Sequence, residues 1–311
     1  MRLCAFALKI FSMKILISGA SGLLGTHLIP TLEAKGHEIH TLVRKTPKGA
    51  NEIRWDSKTG VDDEEQAKLE DFDAVIHLAG DNIASENWSP EKKRKIRESR
   101  STGTRVLVEA LRKTEIPPKI FVSASATGFY GDRGDEDLTE TSPKGVGFLP
   151  DVCDEWEREA RRAEDFGARV ALLRTGVVLS KDGGALEKML TPFRFGVGGT
   201  VGSGKQWMSW ISLEDTLEIY HLALENEQIS GAVNTTSPNP VTNAEFTDTL
   251  GKVLHRPTVL PVPEFAIRLL FGEMGERLLL EGNKVLPKKL QDFGFEFKFP
   301  DLEEALKHAL N

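Results

Sequence analysis

The chain has 311 residues, of which 40% are hydrophobic and 28% are charged, and its formal net charge is −7. This length suits a large core in a main domain with a smaller one appended, and the acidic balance disfavours non-specific nucleic-acid binding. No apolar run approaches the roughly 20 residues of a membrane-spanning helix. The two cysteines, Cys4 and Cys153, indicate neither a disulfide framework nor a zinc site. We expect a cytoplasmic protein with no bound metal.

Residues 1–12, MRLCAFALKIFS, precede a second methionine, Met13, that opens directly into a strand. They resemble a very short signal sequence but lack a small-residue cleavage site. A misplaced start codon or a loose tail accounts for them better. We therefore treat residues 1–12 as an N-terminal extension and expect the fold to begin at Met13.

From Met13 onward, short β-rich runs alternate with helical stretches. The strand runs are continuously apolar rather than alternating, which is typical of strands buried on both faces of a parallel sheet. This repetition predicts an α/β fold: a Rossmann-type, doubly wound parallel sheet over residues 13–180. The predicted strands cover 14–19, 37–44, 73–80, 119–126 and 169–179, with helices ending at 35 and covering 94–114 and 150–165.

The composition changes beyond residue 180. Glycine-rich segments come first, and from about residue 241 the chain is mainly helical with proline breaks. We expect residues 181–311 to form a smaller, mainly helical C-terminal cap domain that binds substrate. A strand or helix of this part could still return to the first sheet.

The segment ISGASGLLG, residues 17–25, follows the first strand and opens the first helix. In such a turn one glycine permits the tight bend, the next removes the Cβ that would block a pyrophosphate, and the third lets helix and sheet approach closely. The helix N-terminus then offers free N–H groups to an anion. A dinucleotide site is therefore predicted, lined by Gly19, Ser21, Gly22, Leu23, Leu24 and Gly25.

The end of the second strand favours NADP over NAD. An acidic residue there would bind an unmodified ribose, whereas this chain has Arg44 and Lys45, which suit a 2′-phosphate. The alternative is an ordinary exposed arginine at a strand end. Asp56 either accepts a hydrogen bond from the adenine amino group or begins a turn. The turn at 77–80 brings small-residue backbone to the adenosine side, where Gly80 would join the cofactor site.

Taken together, these motifs resemble the extended short-chain dehydrogenase/reductase superfamily and, more narrowly, its atypical epimerase-family branch. The narrower resemblance is carried by FLPDVCDEWE, LRTGVVLSKDGGAL, GGTVGSGKQWMSWISLEDT and KVLPKKLQDFGFEFKFPDLEEAL. It covers nearly all of 13–310 and includes a family-specific C-terminal region at 258–306. The broader motifs are the glycine turn at 18–25, LAG at 78–80, GT at 103–104 and SASATGFYG at 123–131.

The resemblance implies a bound NADP and a cap of the kind that binds nucleotide sugars in relatives. Arg44 matches the arginine that binds the 2′-phosphate, and Leu78 and Ala79 match the cofactor-lining turn. Arg100 matches a cofactor-proximal arginine, and Val177 a position near the nicotinamide. The substrate is not implied, because the name "epimerase" rests on an analogy of fold.

The family's Tyr-x-x-x-Lys pair, which moves the proton, is missing. Ser125 keeps the hydroxyl that binds the reacting group, but Phe148 and Val152 occupy the tyrosine and lysine positions and cannot ionise. Tyr130, just past the serine-bearing strand, is the best replacement acid; the alternative is an aromatic wall of the pocket. Cys153 is a weak candidate nucleophile, since no histidine lies nearby in sequence to activate it.

The loop at 202–212, GSGKQWMSWIS, corresponds to the substrate loop of sugar-nucleotide relatives. Lys205 and Gln206 would reach a phosphate or carboxylate, and Trp207 and Trp210 would stack on a ring. The alternative is a loop that packs its tryptophans into the seam between the domains.

Two functions follow from these residues. The first is an NADP-binding oxidoreductase or epimerase-like enzyme that acts on a small oxygenated substrate with Ser125 and Tyr130 as catalytic residues. The second is a non-catalytic, NADP-dependent binding module or regulator, in the manner of relatives linked to plastid or cell division. A homodimer is compatible with both.

Overall fold

A computed structural model describes residues 12–311, so most of the N-terminal extension lies outside the described residues. Its strands and helices alternate from the start, as the apolar runs predict. The strands are β1 (Lys14–Ser18), β2 (Glu38–Val43), β3 (Glu52–Arg54), β4 (Ala74–His77), β5 (Ile120–Ala126), β6 (Asp137–Leu138), β7 (Arg169–Thr175), β8 (Val177–Leu179), β9 (Trp207–Met208), β10 (Trp210–Ser212), β11 (Gly231–Thr235), β12 (Val241–Thr242) and β13 (Lys284–Val285).

The helices flank the strands and then dominate the C-terminal part. Three short 3₁₀ segments (Ala67–Leu69, Thr127–Tyr130 and Arg162–Phe166) and one π-helical turn (Glu276–Leu280) supplement them. The α-helices are α1 (Leu23–Ala34), α2 (Asp63–Gln66), α3 (Pro90–Arg112), α4 (Phe148–Arg161), α5 (Gly184–Arg194), α6 (Leu213–Glu225), α7 (Asn243–Leu254), α8 (Glu264–Gly275), α9 (Lys288–Phe293) and α10 (Leu302–Leu310).

Seven parallel strands form the central sheet, in the order β3-β2-β1-β4-β5-β7-β11. The order reverses at β1, so β1 and β4 flank the crevice where such sheets bind ligands. Strand β11 comes from the part of the chain beyond residue 180, so this part does return to the first sheet. The doubly wound Rossmann-type fold predicted from the sequence is confirmed.

The sheet is buried on both faces, which explains its continuous apolar runs. Within β1, Leu16 packs with Leu107 of α3 on one face, and Ile15 packs with Leu28 of α1 and Ile219 of α6 on the other. All five side chains are at most 1% exposed. Each strand therefore contributes apolar area to two helical layers.

The predicted strand over 169–179 is in fact two strands. Gly176 separates β7 from β8 because any Cβ there would collide with the carbonyl oxygen of Ser209. Strand β8 leaves the main sheet and pairs with β10 instead.

The C-terminal part folds back over the end of β5. Helix α8 is broken at Gly272, whose φ of +54° is in the left-handed region, and the π-helical turn follows it. Beyond that turn the Asn283 amide donates to the carbonyl oxygens of Thr127 (3.0 Å) and Gly131 (3.3 Å). Among the described residues, no helix is long and apolar enough to cross a membrane.

Candidate cofactor and substrate site

The glycine turn between β1 and α1 is tight at two of its three glycines. Gly19 has a φ of +76°, and a Cβ there would lie 2.8 Å from the Leu78 carbonyl carbon. A Cβ on Gly25 would lie 2.5 Å from the Gly19 oxygen. These two positions therefore require glycine so that β1, α1 and the turn after β4 can approach one another.

Gly22 differs from its two neighbours. Its φ is −82°, and a Cβ there would meet only the Gly19 oxygen, at 3.3 Å. Gly22 and the preceding Ser21 are exposed, and Gly22 precedes α1 without a side-chain cap. The first N–H groups of α1 therefore face an open surface, which is the cradle that an anion requires.

A buried Ser18–His77 pair holds the turn after β4 against the glycine turn. The Ser18 hydroxyl accepts hydrogen bonds from the amides of Leu78 (3.2 Å) and Ala79 (3.3 Å), and it lies 2.6 Å from His77 Nδ1. With its lone pairs occupied, the hydroxyl donates to that nitrogen. Burial lowers the pKa of His77 to about 3, so the ring is neutral. Sequence reasoning missed this pair, although Ser18 and His77 end the two strands that flank the crevice.

Two cations lie unpaired at the end of β2. Arg44 and Lys45 are exposed, and neither side chain has a hydrogen bond or ion pair with any residue in the range 12–311. Asp56, by contrast, is engaged. Its Oδ1 accepts from the amides of Lys58 (2.7 Å) and Thr59 (3.2 Å), and these backbone bonds lower its pKa. Asp56 thus begins a turn, and its bond to the adenine amino group stays a prediction.

Arg100 supports the turn after β4 rather than extending into solvent. Its guanidinium lies under Gly80, where a Cβ would be 3.2 Å from Cζ, and it donates to the Asp81 oxygen at 3.0 Å. The cation also stacks over the Trp156 ring at 5.2 Å. Burial lowers its pKa. The structure therefore places Arg100 beside the predicted cofactor-lining turn and uses it to hold that turn.

The remaining predicted cofactor residues lie where the turn meets the second half of the chain. Leu23 packs under the loop that leads into α5, 3.3 Å from the Cβ position of Gly184. Leu24 packs on the core, and Val177 is partly buried at the start of β8. This loop therefore packs beside the first turn of α1.

The Ser125 hydroxyl is buried and hydrogen-bonded within the protein. It donates to Glu157 of α4 at 2.7 Å, and both residues are 4% exposed. The same carboxylate takes a bidentate pair of bonds from Arg174 of β7, at 2.7 and 2.8 Å. Burial alone would lower the pKa of Arg174, but the paired carboxylate raises it overall. Neither Glu157 nor Arg174 was singled out from the sequence.

Tyr130 belongs to the same buried network. Its ring is 0% exposed, its hydroxyl donates to Asn234 at 2.6 Å, and Arg174 donates to that hydroxyl at 3.0 Å. Burial raises the pKa of Tyr130. Its role as the replacement acid stays a prediction, and this geometry argues against it because the proton is bonded inside the core. Of the two predicted catalytic residues, neither presents a free hydroxyl to a cleft.

On α4, the residues that face the end of β5 come one position later in the sequence than the expected tyrosine and lysine positions, 148 and 152. Leu149 and Cys153 lie 3.6 and 3.8 Å from the Cβ position of Gly128. Phe148 instead contacts Trp88, with ring centroids 5.1 Å apart. Burial raises the pKa of the Cys153 thiol to about 12. At pH 7 this pair is therefore as unable to move a proton as Phe148 and Val152.

The predicted substrate loop is largely structural. Trp210 is 0% exposed, and its indole donates to the Asn239 oxygen. Gln206 uses its amide to bond the oxygens of Val201 and Leu279. Trp207 is partly buried and donates to Asp135, which leaves Lys205 as the exposed member of the four. The alternative of a packed loop describes Trp210 and Gln206.

A cleft lies directly beyond the end of β5. The cap side of this cleft comes from the segment after α8, within the region expected to form the cap domain. The lining residues are Gly128, Gly131, Asp132, Val146, Gly147, Phe148, Leu149, Pro150, Arg277, Glu281, Gly282 and Asn283.

Known proteins resemble this chain along nearly its whole length. Residues 15–235 match the NAD dependent epimerase/dehydratase family, and residues 262–309 match a domain of unknown function, DUF1731. The chain is 42% identical to epimerase family protein Mb2239 of Mycobacterium bovis, over 95% of this chain and 97% of that one. It is 40% identical to the chloroplastic SDR39U1 homolog of Arabidopsis thaliana, over 95% and 86%.

Among solved structures, human epimerase family protein SDR39U1 was crystallised with NADPH. It is 36% identical in sequence and superimposes with a TM-score of 0.88, covering 96% of this chain and 100% of that one. UDP-N-acetylglucosamine 4-epimerase from Bacillus cereus has a TM-score of 0.74 at 18% identity, which shows a shared fold alone. The resemblance proposed from the motifs is confirmed.

Proposed function

The chain belongs to the NAD dependent epimerase/dehydratase family, and we propose that it is an NADPH-binding oxidoreductase or epimerase-like enzyme acting on a small oxygenated substrate. One observation carries the proposal: the open face at Gly22, bordered by the free N–H groups of α1, follows β1, and the exposed Arg44 follows the neighbouring β2, so both lie at the carboxyl edge of the sheet. That combination suits a pyrophosphate and a 2′-phosphate on one ligand. The related human protein was crystallised with NADPH.

The described residues fit NADPH. The turn from Gly19 to Gly25 would hold the pyrophosphate, Arg44 and Lys45 the 2′-phosphate, and the Leu78–Gly80 turn would line the adenosine side. When bound, NADPH supplies a hydride to the substrate. The protein's task is then to position the reacting carbon and to exclude water beside Val177.

The substrate would occupy the cleft beyond β5, where Gly128 and Leu149 meet Arg277 and Glu281. The usual proton relay is absent there, because Leu149 and Cys153 occupy the facing positions on α4. General acid–base catalysis is worth about 100- to 10,000-fold. Turnover by positioning alone would therefore be slow, and an enzyme of normal speed needs a proton source other than the Tyr-Lys pair.

A second candidate is a non-catalytic, NADPH-dependent binding module. Two observations favour it: the Ser125 hydroxyl is bonded to Glu157, and Tyr130 is sealed in the core. In this case NADPH would stabilise one state of the protein by binding the folded form. The cofactor turn would then matter in the cell, whereas the reacting centre would not.

One experiment separates the two functions. Purified protein is screened with NADPH against panels of aldehydes and ketones for loss of nicotinamide absorbance, and with NADP⁺ against nucleotide sugars for epimerised product, because an epimerase leaves the absorbance unchanged overall. An enzyme consumes NADPH or epimerises a sugar with at least one panel member, and Arg44→Ala raises its KM for the coenzyme. Tight NADPH binding with neither reaction across the panels favours the binding module, and no NADPH binding contradicts both.

A further inference from the structure

The cleft beyond β5 contains a carboxyl group that the family's usual proton relay does not use. Three of its lining residues carry ionisable side chains: Asp132, Arg277 and Glu281. Asp132 is exposed and accepts from the Gly134 amide at 3.3 Å. Glu281 is the more enclosed of the two acids, with 24% of its side chain exposed. It lines the same cleft as Gly128 and Leu149, the residues beside the end of the serine-bearing strand.

The backbone around Glu281 is held in place from two sides. Asn283 is anchored to Thr127 and Gly131 by its amide, and its carbonyl oxygen accepts from Ser209 at 2.8 Å. A Cβ at Gly282 would collide with the backbone of Trp207, so the chain runs directly against that strand. The backbone that carries Glu281 therefore keeps a fixed position relative to β5.

Charged groups of both signs face Glu281. Arg277 donates to its carboxylate from one turn earlier, while Asp132 and Glu276 oppose ionisation. Burial is the largest influence, and it raises the pKa of Glu281 despite the arginine. When it is protonated, this carboxyl group can give up its proton, and Arg277 then stabilises the resulting anion.

We propose that Glu281 is the proton donor of this site and replaces the missing tyrosine; the inference rests on the proposed NADPH-dependent function. In the step, the substrate's carbonyl carbon accepts a hydride from the nicotinamide, and its oxygen accepts the proton of Glu281. The C=O double bond becomes a C–O single bond with new C–H and O–H bonds. Glu281 is left as a carboxylate beside Arg277, NADPH becomes NADP⁺, and solvent returns the proton.

The test does not require the natural substrate. The oxidised nicotinamide ring is cationic, so a carboxyl next to it ionises more readily in the NADP⁺ complex than in the NADPH complex. Titration calorimetry of the full chain in buffers of different ionisation enthalpy, from pH 5 to 8, measures the protons released with each coenzyme. We expect NADP⁺ to release more protons than NADPH, and Glu281→Gln to abolish the difference while NADPH affinity changes less than threefold.

Asp132→Asn is the matched control, because it removes the other carboxylate of the same cleft; since Asp132 opposes ionisation of Glu281, this variant should move the proton difference to lower pH without abolishing it. With any carbonyl probe that the wild type reduces, Glu281→Gln should slow turnover by about 100-fold or more. In the wild type, the rate should decline as pH rises through the pKa of Glu281, and Glu281→Gln should remove this decline. Glu281→Asp should restore part of the rate and part of its pH dependence. Equal proton release in wild type and Glu281→Gln overturns the inference. If neither coenzyme binds, the proposed function itself fails.

Discussion

The two halves of the central sheet treat their polar groups in opposite ways. At the ends of β1 and β2, the turn at Gly22 and the cations at 44 and 45 leave donors facing outward. At the ends of β5 and β7, Ser125, Glu157 and Arg174 bond to one another, and each is about 4% exposed. In the first half the donors remain available to a ligand, whereas in the second half the polar groups are bonded within the protein and stabilise the fold.

This difference distinguishes the features that determine coenzyme binding from those that determine catalysis. Coenzyme binding depends on the backbone geometry of the turn, which the glycines determine. It requires only that the first helix starts in the same place. A catalytic end depends on individual side chains, and here the hydroxyls that would do the chemistry have become core residues. Substitutions in the two halves should therefore affect different properties: coenzyme binding in the first half and stability of the fold in the second.

The largest effect is expected for Arg174→Met. The substitution leaves Glu157 buried without its partner, and loss of one member of a buried pair costs about 3–5 kcal/mol. Urea unfolding at pH 7 measures this loss. Arg112→Met is the matched control, because its pair with Asp165 is exposed and is worth at most about 1 kcal/mol. Equal losses in the two variants would show that the network is not a stabilising unit.

Gly22→Ala should damage binding and spare the fold. Its φ is compatible with alanine, but the new Cβ occupies the open face, and overpacking of this kind costs up to about 3 kcal/mol, or roughly 100-fold in Kd for NADPH. Fluorescence titration with NADPH measures the change. Unaltered affinity would place the pyrophosphate elsewhere.

Acid should destabilise the first half through His77. Because the pKa of His77 is about 3 in the folded state and about 6.5 in the unfolded chain, its stabilising contribution is complete above pH 6.5 and is lost as pH falls toward 3. Between pH 7 and pH 5 this amounts to about 2 kcal/mol. Comparing urea unfolding of wild type and His77→Asn at both pH values isolates it, and identical pH dependence would contradict the assignment.

Arg44→Ala should weaken NADPH binding by about tenfold or more, since a charge-assisted hydrogen bond is worth about 1.5–3 kcal/mol, and should leave NADH binding unchanged. Lys35→Ala serves as the control because that lysine pairs with Glu218 outside the crevice. If the substitution weakens binding of NADPH and NADH equally, Arg44 does not recognise the 2′-phosphate.

Tyr130→Phe should have the smallest effect on function. It removes two buried hydrogen bonds, at a cost of about 1–3 kcal/mol in stability for the partners left unpaired, but it should change NADPH turnover by less than twofold. Thermal unfolding and steady-state rates measured together make the test. A large drop in rate at full stability would restore Tyr130 as the acid.

Sequence reasoning reached the fold and the family because both depend on local patterns. Continuous apolar runs gave the buried parallel strands, and the spacing of glycines gave the turn. It did not reach Glu157, which lies 32 residues from Ser125 and meets it only when α4 packs on β5. Nor could it place Leu149 on the inward face, because one residue along a helix rotates a side chain by about 100°. Burial of Trp210 likewise depends on tertiary packing.

The most direct test of the account is isothermal titration calorimetry of the full chain with NADPH and with NADH under identical buffer and salt. We predict saturable binding of NADPH and at least tenfold weaker binding of NADH, with the preference abolished in Arg44→Ala. Absence of binding by either coenzyme, or equal affinity for the two, would contradict it.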